Sequence, residues 1–477
     1  MNHKPFHSAI NTLTFSALLV FSAASTVSMA EQAKTAAKPV KASLCPAFGW
    51  SEGLANYLSQ NAQFPTQEPK VDCDFHEWSW ETFVWATALD SNGIPRFMTL
   101  STPDELLNNA LVVKSGSVRP LRLGTRSLKP HATANAPEVA GAIVEADSNM
   151  MVAPNGYPVY ASVHMNNLYF ATAQNNLIID QGYQNNADKD TYFNVGAAIF
   201  KATWMRLDDK QSAPAGAFTT QAEIPVLTVD PKTKMVVTSG KFLKATVALV
   251  GMHVVGITDN HPEFLWGTFE HNMNSPMLPD NSFTPSGSSA KNYTFYRANT
   301  PYTNVNIANQ GPPASLAFDE NTQKFSPITN AVQENMTGGE NNSPQGPENI
   351  GNLNKSAQGF LSAQKGNEAL FANYNLIGTV WMQPNTYTIS NNNWQTLNQA
   401  NAVGSVNLAN STAETFQQAA TNKGSSSNFG NCFECHNPQS YAQDAQGPAQ
   451  LKPRRIGISH VLGINTPYAV PNQIPVK

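Results

Sequence analysis

The sequence predicts a mainly β fold: a β-sandwich-like core with long loops, followed by a short, mostly helical C-terminal segment. Three observations predict it. Segments rich in β-branched and aromatic residues, such as 200–207, 241–255 and 376–382, are separated by Gly, Pro and Asn clusters, the pattern of short strands joined by turns rather than of a parallel α/β fold. Hydrophobic residues make up 41 % and aromatic residues 9 % of the 477, so a sizeable core can form. Charged residues are only 13 % and are replaced by Asn, Gln, Ser and Thr, a composition that excludes wholesale disorder, which needs low hydrophobicity and high net charge.

The elements follow in order. Residues 1–30 have the parts of a secretory signal: Lys4 for charge, an apolar stretch from Leu13 to Ala24, and Ser28-Met29-Ala30 with small residues at the −3 and −1 positions for cleavage. The same stretch read as a membrane anchor falls short of the ~20 residues a span needs. Residues 31–44, rich in Ala and Lys, read as a flexible leader, and 45–400 as a β-rich domain. Within it, Asp74 to Leu89 fits a helix with one broad apolar face through Trp78, Phe83, Trp85, Ala86 and Leu89, with Trp80 off the stripe; Asn92-Gly93 ends it. Residues 101–149 read as mixed loops and weak helix. Strands are expected within Tyr192–Leu207, Lys241–Val255, Glu263–Phe269, Tyr293–Tyr296 and Leu376–Met382. The span from about 280 to 362, rich in Asn, Gly, Pro and Ser, reads as long surface loops. Ser411 to Ala420 is expected to form a short helix, capped by Ser411 or Asn410, with Glu414 in capping-box position.

The net charge of −4 and the absence of a long Lys/Arg run leave no electrostatic footprint for nucleic acid. Beyond the N-terminal apolar stretch nothing is long enough to span a membrane, so no integral span is expected after signal cleavage, and the mature chain is expected in the periplasm or secreted.

Four cysteines divide into two pairs. Cys432-Phe433-Glu434-Cys435-His436 is the C-x-x-C-H pattern for covalent attachment of one haem c. Each thiol adds to one haem vinyl group, the two intervening residues match the vinyl spacing, and the adjacent His436 supplies the proximal axial nitrogen. Two other readings exist. A thioredoxin-like C-x-x-C wants a preceding strand, whereas Lys423 to Ser427 is loop-like; a zinc site would draw Cys45 and Cys73 as further ligands across most of the chain. In an oxidising compartment Cys45 and Cys73 are instead expected to form a disulfide, with two free thiols as the alternative. Residues 401–477 are the expected haem-binding segment.

Several segments together resemble a group of large bacterial exported cytochrome c family proteins with one C-terminal C-x-x-C-H: WETFVWATAL, FKATWMRL, LVGMHVVGITDNHPEFLWGTFEHNMNSP, LANSTAETFQQ, NCFECHN and GISHVLG. The resemblance is patchy but runs through most of the chain after Cys45, and its most distinctive part is Trp266, Thr268, Phe269, Glu270 and His271. It implies haem binding and electron transfer, and no particular substrate.

The sixth iron ligand separates carrier from catalyst, since a six-coordinate haem passes electrons and an open site binds peroxide or a gas. No Met follows Cys435, and the next His is His460, which is the candidate distal ligand; its other reading is a surface or core His. Weaker candidates are His253, His271 and the thioether donors Met273 and Met277. His253 in a strand also reads as a structural residue, and Glu270 with His271 as a buried hydrogen-bonded network. Arg454 and Arg455 read as partners of haem propionates or as solvated surface charges.

The expected function is a periplasmic c-type cytochrome that exchanges electrons with a redox partner protein or a small-molecule donor or acceptor. The alternatives are a peroxidase- or oxidase-like haem enzyme using His253, Glu270 and His271 at an open distal site, and a binding module whose Trp-rich β domain holds a ligand while haem anchors it.

Overall fold

A computed structural model describes residues 44–107, 120–125, 150–181, 192–208, 212–232, 236–277, 289–307, 316–333, 346–384, 386, 401–418, 432–436 and 455–459. They belong to one compact unit, Leu44–Lys477. Residues 1–43, for which a signal and a leader are expected, lie outside the described residues, as do Arg454 and His460. Among the described residues no helix is long and apolar enough to cross a membrane.

The fold is mainly β. Nine strands form one sheet: β1 (Leu121–Arg122), β2 (Gly124–Thr125), β3 (Val159–Met165), β4 (Ala198–Arg206), β5 (Thr219–Val229), β6 (Val236–Thr258), β7 (His261–His271), β10 (Tyr374–Met382) and β11 (Ala402–Gly404). A separate hairpin pairs β8 (Ala317–Asp319) with β9 (Lys324–Ser326). The long strand β6 organises the sheet. Its first half pairs with β5 and its second half with β7, while β4 runs along the other side from Val247 onward. β10 and β11 extend the β7 edge. On the far side β3 pairs β4, β2 pairs β3, and β1 returns to β5, so the pairing closes a ring through β6, β4, β3, β2/β1 and β5. Among the described residues this is one large, partly closed sheet.

The helices are α1 (Ala55–Leu58), α2 (Asp72–Thr87), α3 (Pro103–Leu107), α4 (Asn167–Gln181), α5 (Gly346–Ser362) and α6 (Cys432–Cys435). α2 and α5 cover one face of the β7–β10 region, taking the place of a second sheet. Phe83 stacks on Phe269 of β7 at 4.1 Å and Trp80 meets the same ring edge-on at 4.8 Å. Gly267 admits this approach: a Cβ there would overlap the Ser79 side chain. Eleven of the sixteen α2 residues are buried, so the helix is enclosed rather than lying on one face. That is where Trp80 goes: its Nε1 donates to Asn354 Oδ1 of α5 at 3.0 Å. Asn354 also bonds both backbone groups of Leu376, beside the β10 register shift. At the start of α2, the Asp74 carboxylate accepts the Lys70 and Val71 N–H groups.

Three expectations are corrected. The loop-rich span to 362 ends in the 17-residue helix α5, whose Ile350, Leu353, Ala357 and Leu361 join the core at helical spacing. Tyr293 and Tyr296 bridge each other across a tight turn rather than forming a strand. Between Ser411 and Gln418 the chain makes a turn and a 3₁₀ segment, Thr415–Gln417, because the Ser411 N–H and hydroxyl bond Glu270 and the Thr412 hydroxyl bonds Thr203 of the sheet instead of continuing a helix.

The disulfide between Cys45 and Cys73 is present, with a Cα–Cα distance of 5.4 Å. It ties the chain start to α2, and the Cys45 N–H donates to Asn349 Oδ1 of α5 at 2.9 Å. Closing a loop of this size is worth about 3 kcal/mol in the chain-entropy model. Cys45→Ala with Cys73→Ala is therefore expected to lower the free energy of unfolding by about 2–5 kcal/mol, read as a drop in the urea midpoint; an unchanged midpoint would contradict it.

Candidate functional site

The C-x-x-C-H segment forms one helical turn, α6, closed by the His436 N–H donating to the Cys432 carbonyl at 2.8 Å. Positions 432, 435 and 436 are spaced i, i+3 and i+4, so they fall on one side of the turn. Phe433 anchors it: fully buried, it joins an apolar cluster with Ile377, Val380, Met382 and Ile456. This cluster lies on the sheet face opposite α2. Cys432 is partly buried against it.

His436 is held from two sides. Its Nδ1 lies 3.1 Å from the Ile458 carbonyl, which only accepts, so Nδ1 carries the proton and the lone pair of the neutral ring sits on Nε2. A backbone carbonyl fixing the tautomer in this way is the usual support of an imidazole that binds metal through its other nitrogen. Ile458 closes the short turn Arg455–Ile458, steadied by a Tyr169–Ser459 hydroxyl pair and by Arg455 packing 4.3 Å over the Tyr192 ring. On the second side the Trp266 ring is 4.3 Å from the imidazole, tilted by 44°. Trp266 Nε1 is buried without a hydrogen-bond partner. Two residues earlier, Phe264 is buried at a φ of 68°, where a bulky residue is strained.

Side chains alternate along β7, so Trp266, Thr268 and Glu270 share one face. Thr268 and Glu270 meet a polar turn, Asn410 to Glu414. Asn410 Nδ2 donates to Thr268 Oγ1 at 2.9 Å and to the Phe269 carbonyl at 3.0 Å. The Ser411 N–H donates to Glu270 Oε1 at 2.7 Å, and its hydroxyl bonds Glu270 Oε2. Thr412 and Thr203 share a hydroxyl hydrogen bond of 2.6 Å. The contact requires Gly251, where a Cβ would sit 2.6 Å from both threonine hydroxyls. Burial pushes the Glu270 carboxyl up to about 7, the bonds from Ser411 and Asn274 opposing it. Glu414 behaves oppositely. Burial alone would raise it, but His253, Lys201 and the Asn410 N–H together hold it down to about 2. Glu414 Oε2 accepts that N–H at 3.0 Å, so the reciprocal cap runs through Asn410 rather than Ser411.

The structure separates the ligand candidates. His253 pairs across β6 and β7 with Thr268, on the same face as Trp266, and its Nε2 bonds Glu414 Oε1 at 3.0 Å. His271 lies on the other face of β7, its ring 5.3 Å from that of Tyr374, so Glu270 and His271 form no shared network. Burial lowers the His271 pKa to about 4, the Ala215 backbone opposing. Met273 Sδ lies 4.0 Å from Lys291 Nζ, and Met277 is 41 % exposed beside Gln333. With Cys45 and Cys73 joined to each other, they are not ligands of a zinc site with the C-x-x-C pair.

Lys201 and the Ile458 carbonyl were not singled out by sequence, and Asn410 and Ser411 were read only as helix caps. The period-two spacing of Trp266, Thr268 and Glu270 was the available signal for a shared face.

A concavity of about 370 Å³ lies on the α2 side, lined by Lys70, Asp72, Phe75, His261, Trp381 and Gln383. Phe75 and Trp381 stack at 3.9 Å, and His261 Nδ1 is 2.9 Å from Glu263 Oε1. Comparison with protein-family models, curated proteins and solved structures finds no match for this chain.

Proposed function

We propose that the chain is an exported c-type cytochrome that binds one haem covalently and transfers electrons. The observation that carries this reading is the helical turn that presents positions 432, 435 and 436 together, with the tautomer of His436 set by the Ile458 carbonyl. Cys432 and Cys435 would hold the porphyrin and His436 would ligate its iron. The bound group would supply a one-electron redox centre. The protein's part is positional: Phe433 fixes the turn to the sheet, and Ile458 and Trp266 fix the ring of His436. His460 is the proposed distal ligand. His253 is the second choice, since it shares the face that carries Trp266.

Two observations favour other readings. His253, Glu270 and Glu414 on that same face supply proton-exchanging groups for a haem enzyme, and the cavity at Trp381 suits a ligand-binding module. The deciding experiment is expression of the full chain in a host that matures c-type cytochromes. The expected result is colour that survives denaturation, an intact mass raised by one haem, and a low-spin spectrum indifferent to peroxide. A high-spin, peroxide-reactive spectrum favours the enzyme; a chain without covalent haem overturns the proposal.

A further inference from the structure

Among the described residues, five other indole nitrogens invite comparison with that of Trp266. Trp78, Trp80, Trp85 and Trp204 donate to Pro65 O, Asn354 Oδ1, Ala62 O and Ser162 Oγ at 2.9–3.1 Å. Trp50, packed against the core on the α2 side, has no acceptor, and neither has Trp266. Leaving a buried N–H unmet is unfavourable, and native structures keep such groups rare. Trp266 is also the one among these whose ring contacts the haem motif, at 4.3 Å from His436 and 6.3 Å from Phe433.

We propose that Trp266 is a positioning residue for the haem: its Nε1–H donates to a propionate carboxylate of the porphyrin, while its ring sets the orientation of His436. This rests on the haem reading above. It gives the unmet donor an anionic acceptor, and a hydrogen bond to an ionised group is among the stronger ones. It also gives the indole two separable duties, one through its nitrogen and one through its ring.

The consequence is electrostatic. A donor on a propionate stabilises the anion, which lowers the pKa of that carboxyl. It also offsets part of the negative charge that favours ferric iron, which raises the reduction potential. Trp266→Phe keeps an aromatic ring against His436 and removes the donor. In the full-length holoprotein the variant is expected to keep its covalent haem and low-spin spectrum. Its potential is expected to fall, and the pH at which the potential begins to change is expected to move up by about one unit. Arg455, on the turn that carries Ile458, and Lys201, His253, Glu270 and Glu414, along the same sheet face, are untouched by the substitution. The difference between variant and wild type therefore isolates the indole nitrogen.

Trp266→Gln, which retains an N–H donor and does not titrate between pH 5 and 9, is expected to restore the wild-type pH profile at least in part. It also stands in as the test should the Phe variant fail to accumulate: a Gln variant whose profile matches wild type supports the proposal, and one shifted upward contradicts it. Redox titration of the wild type and the variants between pH 5 and 9 reads all of these. A haem-loaded Trp266→Phe protein with an unshifted profile overturns the role of the nitrogen while leaving the cytochrome assignment intact. A wild-type chain with no haem fails the assignment itself.

Discussion

Full-length chain carrying Cys432→Ala together with Cys435→Ala, made beside the wild type in a host that matures c-type cytochromes, is expected to accumulate without any covalent haem. The loss is complete rather than graded, because both thioether bonds are gone and His436 alone cannot retain a porphyrin through denaturation. The fold is expected to survive. The turn is held by Phe433, which is fully buried, and by main-chain bonds that Ala also makes, whereas Cys432 is only partly buried. The Cys45–Cys73 disulfide lies on the α2 side and is not affected. Far-ultraviolet circular dichroism and the mass of the intact disulfide would check folding; haem staining after denaturation would check attachment. Stain persisting in the double variant would mean that the haem, if any, is held elsewhere. Single variants should keep one thioether and an altered spectrum, which separates a weakened site from an absent one.

How much of this was legible in the sequence depends on how each segment is packed. The central part of β6 could be read because Lys241 to Val255 is dense in Val, Leu and Ala, but the strand starts at Val236, where exposed polar residues pair with β5 alone and carry little pattern. β3 was missed because all seven of its residues are buried, so Val159 to Met165 lacks the alternation of a half-exposed strand. β5 was hidden by Pro225, which the fold accommodates at a register shift. α5 shows the opposite failure. Its apolar stripe was present, but Gly, Asn and Gln between the core positions gave it the composition of a loop. At the site, the C-x-x-C-H pattern could be picked out because it is local in the chain. The partners of His436 were not, since Trp266 and Ile458 are brought to it from 170 residues before and 22 residues after by the sheet and the 3₁₀ turn. Glu270 and His271 looked like neighbours in one network, and strand pleating sends them to opposite faces.

The second large effect concerns Glu270, whose substitution by Gln is expected to stabilise the protein at alkaline pH and leave it nearly unchanged near pH 5. Burial raises the folded-state pKa of Glu270 from the ordinary 4.5 to about 7. A carboxyl raised on folding favours the folded state while both states are protonated, below about 4.5, and that contribution is lost as pH rises through 7. At about 1.36 kcal/mol per unit, the wild type gives up about 2–3 kcal/mol over this window. Glu270 is 4 % exposed, so solvent screening relieves little of it. Gln keeps the shape and an acceptor for the Ser411 N–H, and the Ser411 hydroxyl can turn to accept from the new amide. Glu414, held down to about 2, titrates below this window and does not confound the comparison. Urea unfolding of Glu270→Gln and wild type at pH 5 and pH 8 should therefore give curves that nearly coincide at the lower pH and separate in favour of the variant at the higher one. Equal separation at both would place the carboxyl in a solvated setting, and a variant weaker at pH 8 would mean that the ionised form is the one the Ser411 turn is built to hold.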